Sequence, residues 1–416
     1  MDYQVSAKTS QTFARLTNLP QVKQGLEFLQ QDHAKAVQEQ LEMVVIPAPT
    51  FHEEQRARHF AAKLTELGLE DVHLDRHGNV QGLRKGRGTG PAILIEAHLD
   101  TVFPLETVIE PLVKDGRIHA PGICDDTRGL AAVLSLIRAF NETGVSHSGD
   151  IWFVGTTREE GMGGLGGMKG FLEDNRERIA ASISIDGSGA DRIVANATGI
   201  KTVVYNFFGI GGHAYGAFGK VANPLHAAAR AVAKIAALKV PADPRTTYAV
   251  SNFHAGNDAG IHAITESATI KINFRSNSTQ ELAKLDKAIL NCVEEGCREE
   301  SAFWGMDEIT FNCEYLVDVP AGEQDKHLPI VEATYAAMAH IGLQPSFSPD
   351  GSTNANMPIS MGIPAVCIGR GGRESGVHTT HEWFEIEGAW RCPQNAFLIA
   401  LALSGVEGAT ESVMAP

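Results

Sequence analysis

Five short stretches of this chain carry side chains able to hold a metal ion or move a proton. His98 and Asp100 stand two apart in EAHLDTV, and Asp125 adjoins Asp126 in APGICDDTRGL. Glu159 adjoins Glu160 in GTTREEGMGGLGG, Asp186 ends SISID, and His378 lies in SGVHTTHEWFE with His381 three residues on. If EAHLDTV is extended, His98 and Asp100 point to one side. The Asp100 carboxylate can then fix the tautomer of the His98 ring, as carboxylates behind metal-bound histidines do. Taken singly, each stretch has an ordinary structural reading. Adjacent acids before a helix cap it, and a lone histidine is usually a surface or satisfied core residue. Glu159 and Glu160 repel each other and need a cation nearby, whether Arg158 or a metal ion. Taken together, a mixed set of imidazoles and carboxylates suits zinc, cobalt or manganese rather than a soft thiolate site. Two such ions ~3.5–4 Å apart can activate one water between them.

The elements that must position these groups are legible from periodicity. Residues 21–69 carry apolar residues at helical spacing, broken at IPAPT. Strand-like runs follow at Val72–Leu74, Ala92–Ala97, Ile151–Thr156 and Ala181–Ile185, with helical stretches at Arg128–Asn141 and Gly166–Asn175. This alternation predicts an α/β fold with a mostly parallel sheet flanked by helices. Ligands gather at strand ends in such sheets, and the acidic and histidine residues fall just after these runs. From Thr198 the pattern becomes strand, helix, strand, helix (KTVVYNFFGI, ANPLHAAARAVAKIAAL, SATIKINFRS, TQELAKLDKAILNCVEEGCREE), and after Pro320 the first pattern resumes. The expected organisation is an outer domain of residues 1–197 and 315–416 with a smaller α+β domain, 198–314, inserted in it.

The chain has 416 residues, a net charge of −15 and no basic runs, which argues against nucleic acid or an anionic membrane as partner. There is no basic start followed by an apolar stretch, and no run approaching the ~18 apolar residues of a membrane span. Cys124, Cys292, Cys297, Cys313, Cys367 and Cys392 form no C-x-x-C pair. Such sparse cysteines suit reduced thiols in the cytoplasm and disfavour a thiolate-bound structural zinc.

The order H-x-D, G-x-x-D-D, E-E, D and a late H-T resembles the zinc exopeptidase and deacylase family of carboxypeptidase G, peptidase T, acetylornithine deacetylase, succinyl-diaminopimelate desuccinylase and aminoacylase. The likeness runs through nearly the whole chain. It implies a metal-binding catalytic outer domain and an inserted lid and dimerisation domain. It implies two divalent ions, zinc with cobalt or manganese as alternatives: His98 and Asp186 on one, Glu160 and His378 on the other, Asp125 bridging them and Asp100 orienting His98. Glu159 would be the general base, and the Asp125–Asp126 peptide would be cis. GGHAYGAFGKVANPLHAA resembles the segment whose histidine, here His213, stabilises the oxyanion in the partner subunit of a homodimer. Arg275, ending ATIKINFRS, stands where the family binds a substrate carboxylate, which suits a guanidinium fork.

Three segments depart from the family pattern. Thr127-Arg128-Gly129 stands where Lys-Gly is common, and His262 and Thr265 stand where the family has an asparagine and Ile-Pro. His381 is an additional histidine. The expected activity is cleavage of an amide or peptide bond in a short peptide. The alternative is an N-acyl-amino-acid deacylase, since both reactions pass through the same tetrahedral oxyanion. A non-catalytic relative would have lost a ligand or the base, and here every position is filled. A metal-dependent phosphatase or nuclease is disfavoured by the acidic charge and the missing phosphate loop.

Overall fold

The computed structural model describes residues 3–306 and 309–415. It divides into two compact units, residues 1–197 with 323–416, and residues 198–322.

The first unit is built on an eight-stranded sheet. Its order is Glu70–Leu74, Val80–Arg84, Gly149–Thr156, Gly90–His98, Ala181–Ile185, Ala365–Ile368, Arg192–Val194, Ser346–Phe347. The four strands from Gly149–Thr156 to Ala365–Ile368 run parallel, while the two at the Glu70 edge are antiparallel. Ile93, Leu94, Ile95, Ile151, Phe153, Ile183 and Ile185 are all fully buried. Helices cover the sheet, as parallel strands with two apolar faces require. Thr127–Thr143 and Arg391–Ser404 are buried almost throughout.

The helical run after residue 21 is two helices, Pro20–Gln31 and His33–Val44, broken at Asp32. Asp32 accepts hydrogen bonds from Arg138 Nη2 at 2.6 Å and Ser135 Oγ at 2.7 Å, so a tertiary contact fixes the break. A further helix, Ala7–Leu16, precedes them, with the Ser6 side chain accepting from the Thr9 N–H at its start. Four short strands, Glu374–Ser375, Trp383–Glu385, Arg117–His119 and Leu112–Lys114, make a separate antiparallel sheet. Among the described residues, no helix is long and apolar enough to cross a membrane.

The second unit is a four-stranded antiparallel sheet ordered Thr246–Ala255, Ser267–Ser276, Gly199–Phe208, Thr310–Val319. Along Ser267–Ser276 the residues Ala268, Ile270, Ile272 and Phe274 are buried in alternation. They form the inward face on which the helices Pro224–Ile235 and Thr279–Trp304 pack. The unit extends to Gly322 rather than residue 314, because Thr310–Val319 completes this sheet by pairing with Gly199–Phe208.

Candidate metal centre

Within the first unit, adjacent parallel strands deliver the polar groups to one end of the sheet. His98 is the last residue of its strand, Glu159 and Glu160 follow Gly149–Thr156, and Asp186 follows Ala181–Ile185. Asp125 and Asp126 precede the helix Thr127–Thr143, and the peptide between them is cis. Asp126 both caps that helix through Gly129 N–H at 3.2 Å and accepts the His98 N–H at 3.0 Å. A Cβ at Gly129 would meet the Asp126 carboxylate oxygen at 2.4 Å, so this close approach requires glycine.

Two histidines face the two oxygens of one carboxylate. His98 Nε2 lies 2.9 Å from Asp125 Oδ1, and His378 Nε2 lies 3.1 Å from Asp125 Oδ2 and 2.9 Å from Glu160 Oε1. His98 Nδ1 is 3.0 Å from the Asp100 carbonyl and 3.6 Å from its Oδ1, which fixes Nε2 as the nitrogen turned to the cluster. Asp100 also accepts the N–H groups of Glu159 at 2.9 Å and Glu160 at 3.0 Å and the Thr50 hydroxyl at 2.8 Å. Asp100 thus sets the histidine through its main-chain carbonyl, rather than through the carboxylate expected from the sequence, and both glutamates through its carboxylate.

The donor atoms of His98, Asp125, Asp126 and Asp186 come within 4.8 Å of one another, as do those of His98, Glu159 and Glu160, and those of Asp125, Glu160 and His378. The fit to metal rests on this donor set. Imidazole nitrogens and carboxylate oxygens converge, and the carboxylates outnumber the cationic side chains among them, which two divalent ions would balance. The protonation tendencies agree. Burial pushes Glu159 and Asp126 up, with neighbouring carboxylates adding to it. His378 is raised to about 10 by its bonds to Asp125 and Glu160. Burial opposes the charged form of His98, yet Asp100 and Asp125 hold it well above the usual histidine range. Imidazolium protons here sit among carboxylates where a metal ion would replace them.

The structure thus brings together His98, Asp100, Asp125, Glu159, Glu160, Asp186 and His378. In the second unit, His213 is exposed on the short strand Gly212–His213, with Nδ1 accepting from the N–H groups of Tyr215 and Gly216, both at 3.2 Å. Arg275 is exposed near the end of Ser267–Ser276, with Nε 3.3 Å from Asn273 Oδ1. Arg128 is fully buried and donates from Nη2 to the Ala389 carbonyl at 2.9 Å.

Two residues escaped the sequence reading. Glu382 accepts the N–H groups of Gly122, Cys124 and Asp125 at 3.0, 2.7 and 3.2 Å, and so fixes the Asp125 turn. Arg370, almost fully buried, places Nη1 2.8 Å from Asp125 Oδ1 and 3.6 Å from both Asp126 Oδ1 and Asp186 Oδ1. That close contact is an ion pair without hydrogen-bond alignment, whereas Nη2 bonds Glu374 at 3.0 Å and Nε the Gly187 carbonyl at 3.2 Å. Its signal was position: Arg370 comes two residues after the apolar strand Ala365–Ile368. Beside these groups opens a cavity of about 250 Å³.

Residues 94–394 match the model of peptidase family M20/M25/M40. The chain is 28% identical over 352 residues to a succinyl-diaminopimelate desuccinylase of Nitrosospira multiformis, covering 80% of this chain and 88% of that protein. It superposes on the aminopeptidase PepT of Bacillus cereus with a TM-score of 0.73 and 25% identity, over 88% of this chain and 97% of that one. A dinuclear metal binding peptidase of Bacillus subtilis, at 16% identity, shares the fold with a TM-score of 0.67 over 90% of this chain and 99% of its own. With the ordered cluster of histidines and carboxylates at the strand ends, the family match over most of the chain shows that this protein belongs to peptidase family M20/M25/M40.

Proposed function

We propose that the protein is a dinuclear-metal hydrolase that cleaves an amide or peptide bond in a short peptide. The observation that carries this reading is Asp125, whose two oxygens face His98 on one side and His378 on the other. Residues His98, Asp125 and Asp186 would hold one ion and Asp125, Glu160 and His378 the other. Bound there, two divalent cations, zinc in our reading with cobalt or manganese as alternatives, would supply the Lewis acidity that makes water a nucleophile near neutral pH.

The remaining steps belong to the chain. Asp100 keeps the His98 ring in one tautomer. Glu159 takes the proton of the attacking water and hands it to the leaving amine; its carboxylate makes no bond to a histidine comparable with that of Glu160, and so stays available. His213 donates to the oxyanion. Because its Nδ1 accepts two backbone N–H groups, the neutral ring carries its proton on Nε2, the tautomer that role needs. Arg275 receives a substrate carboxylate. The unit 1–197 and 323–416 is then catalytic, and 198–322 is the lid and dimerisation unit of a homodimer, with His213 acting on the partner subunit. The cysteines, all free among the described residues, accord with a cytoplasmic location.

A second reading, N-acyl-amino-acid deacylation, is favoured by the likeness to a desuccinylase across most of both chains. A screen of the zinc-, cobalt- and manganese-loaded protein against di- and tripeptides and N-acyl amino acids tests both. Peptide cleavage supports the first reading. Release from N-acyl amino acids without peptide cleavage reverses the order, and no hydrolysis of either by fully loaded protein refutes both.

A further inference from the structure

The cavity beside the cluster has one wall that the chemistry above leaves unused. It runs from Asp125, Glu160 and His378 to Arg192, Val194 and Gly351. Arg192 and Val194 stand two apart on the strand Arg192–Val194 and share a face, while Ile193 between them is fully buried on the other. That wall is built tightly. A Cβ on Gly351 would lie 2.2 Å from Val194 Cγ1, so the loop passes directly over the strand.

Arg192 spends the two hydrogens of Nη2 on neutral oxygens, the Ser348 hydroxyl at 2.5 Å and the Asp350 carbonyl at 3.2 Å. Among the described residues no carboxylate pairs with it. Of the five N–H donors of a guanidinium, three remain, on Nε and Nη1. Arg370, which lines the same cavity, is by contrast committed to Asp125 and Glu374. A half-buried, tethered guanidinium without a counter-charge, in a small cavity opening on the reacting groups, is a receptor for an anion. One guanidinium balances one carboxylate.

We propose that Arg192 is a specificity-determining residue that selects substrates carrying a carboxylate close to the scissile carbonyl, in addition to the carboxylate assigned to Arg275. The substrate class is an acidic acyl or aminoacyl group: a dicarboxylic acyl chain, or an amino-terminal Asp or Glu. This deepens the proposed hydrolase reading and rests on it.

The test compares matched pairs in wild type, Arg192→Met and Arg192→Lys, all zinc-loaded. One arm uses an N-succinyl amino acid against its terminal amide, and the other uses a Glu-X dipeptide against Gln-X. Separately, calorimetry compares binding of succinate with that of succinamate. A charge-assisted contact of this kind predicts that the wild-type preference for acid over amide, in kcat/KM, falls roughly 10- to 100-fold in Arg192→Met. Arg192→Lys should restore part of it, and succinate should lose its binding advantage in step. The arm with the larger preference identifies the source of the carboxylate. A merely structural Arg192 would depress both members of a pair alike, and that result, or a wild type without acid preference in either arm or in calorimetry, overturns the proposal. Absence of any hydrolysis alongside Arg192-dependent succinate binding would instead overturn the hydrolase reading and leave the anion subsite standing.

Discussion

Glu159 and Glu160 are neighbours with opposite assignments, so substituting each in turn tests the whole reading of the centre. Their backbones are pinned alike, by Asp100 Oδ1 at 2.9 Å and Oδ2 at 3.0 Å, so neither substitution removes the clamp on the chain. Their side chains differ. Glu160 Oε1 lies 2.9 Å from His378 Nε2 and shares with Asp125 and His378 one group of potential ligands, whereas Glu159 has no such bond. Glu160→Ala should therefore leave that position with only Asp125 and His378 and lose about one equivalent of metal on dialysis. Glu159→Ala should keep both equivalents and lose the proton-transfer step. General acid–base catalysis contributes ~10²–10⁴-fold, or about 3–5 kcal/mol of barrier at ~1.36 kcal/mol per decade. That loss belongs in kcat, with KM moving a few-fold at most, because Glu159 is assigned no part in substrate binding. Metal content by mass spectrometry and kcat on the best peptide from the screen decide it. If Glu159→Ala is as metal-depleted as Glu160→Ala, or if its loss falls mainly in KM, the assignment of the pair is wrong.

Arg275→Ala should raise KM for substrates with a free carboxylate far more than for their amides, by roughly 10- to 100-fold; an equal loss on both would make Arg275 structural. Mixing a Glu159→Ala subunit with a His213→Ala subunit should restore activity that neither has alone, because one site of the mixed dimer then has both wild-type residues. A mixture that stays inactive, or a fully active monomer in sedimentation, removes the trans role of His213. In the second unit, burial raises the pKa of Glu300, but bonds from Trp304 Nε1 at 2.8 Å, Arg230 Nε at 3.0 Å and the Asn223 N–H at 3.3 Å outweigh it, and the net shift is downward. A depressed folded value means stability that is complete above the unfolded carboxylate pKa and is lost as pH falls through the folded one. Glu300→Gln should cost about 1–3 kcal/mol near pH 7 and flatten the acid limb of urea midpoints measured against pH. An acid limb as steep as that of wild type would refute the linkage.

How far the sequence carried this picture depended on burial. The strands Gly90–His98, Gly149–Thr156 and Ala181–Ile185 are apolar because both faces are covered, and each showed as an apolar run. Thr246–Ala255 and Thr310–Val319 did not, because they are the two edge strands of their sheet and largely exposed. With little to bury, they carry little alternation to read, and missing the second of them put the boundary of the inserted unit at 314. The break at Asp32 was also invisible, since no glycine or proline marks it and the deciding partners, Ser135 and Arg138, lie about a hundred residues away.

The same logic explains why the centre itself was legible. Strands buried on both faces tolerate an ionisable side chain along their length only where polar partners satisfy it, as Thr156 and Asn354 satisfy the buried Glu96, so most charged groups that must share a site are displaced to the strand ends. There each strand adds one or two, and the parallel arrangement brings those ends together. His98, Glu159, Glu160 and Asp186 follow this rule, and Arg370 obeys it equally, being the first charged residue after Ala365–Ile368. Being an arginine, it does not stand out among histidines and carboxylates, the residue types that ligate metal. For Asp126 the sequence sets helix capping against a place in the site, whereas this carboxylate caps the helix and bonds the His98 N–H at the cluster at once. At a crowded strand end the structural role and the chemical one fall to the same atoms. The charge balance there, rather than any single motif, says which groups belong to the site.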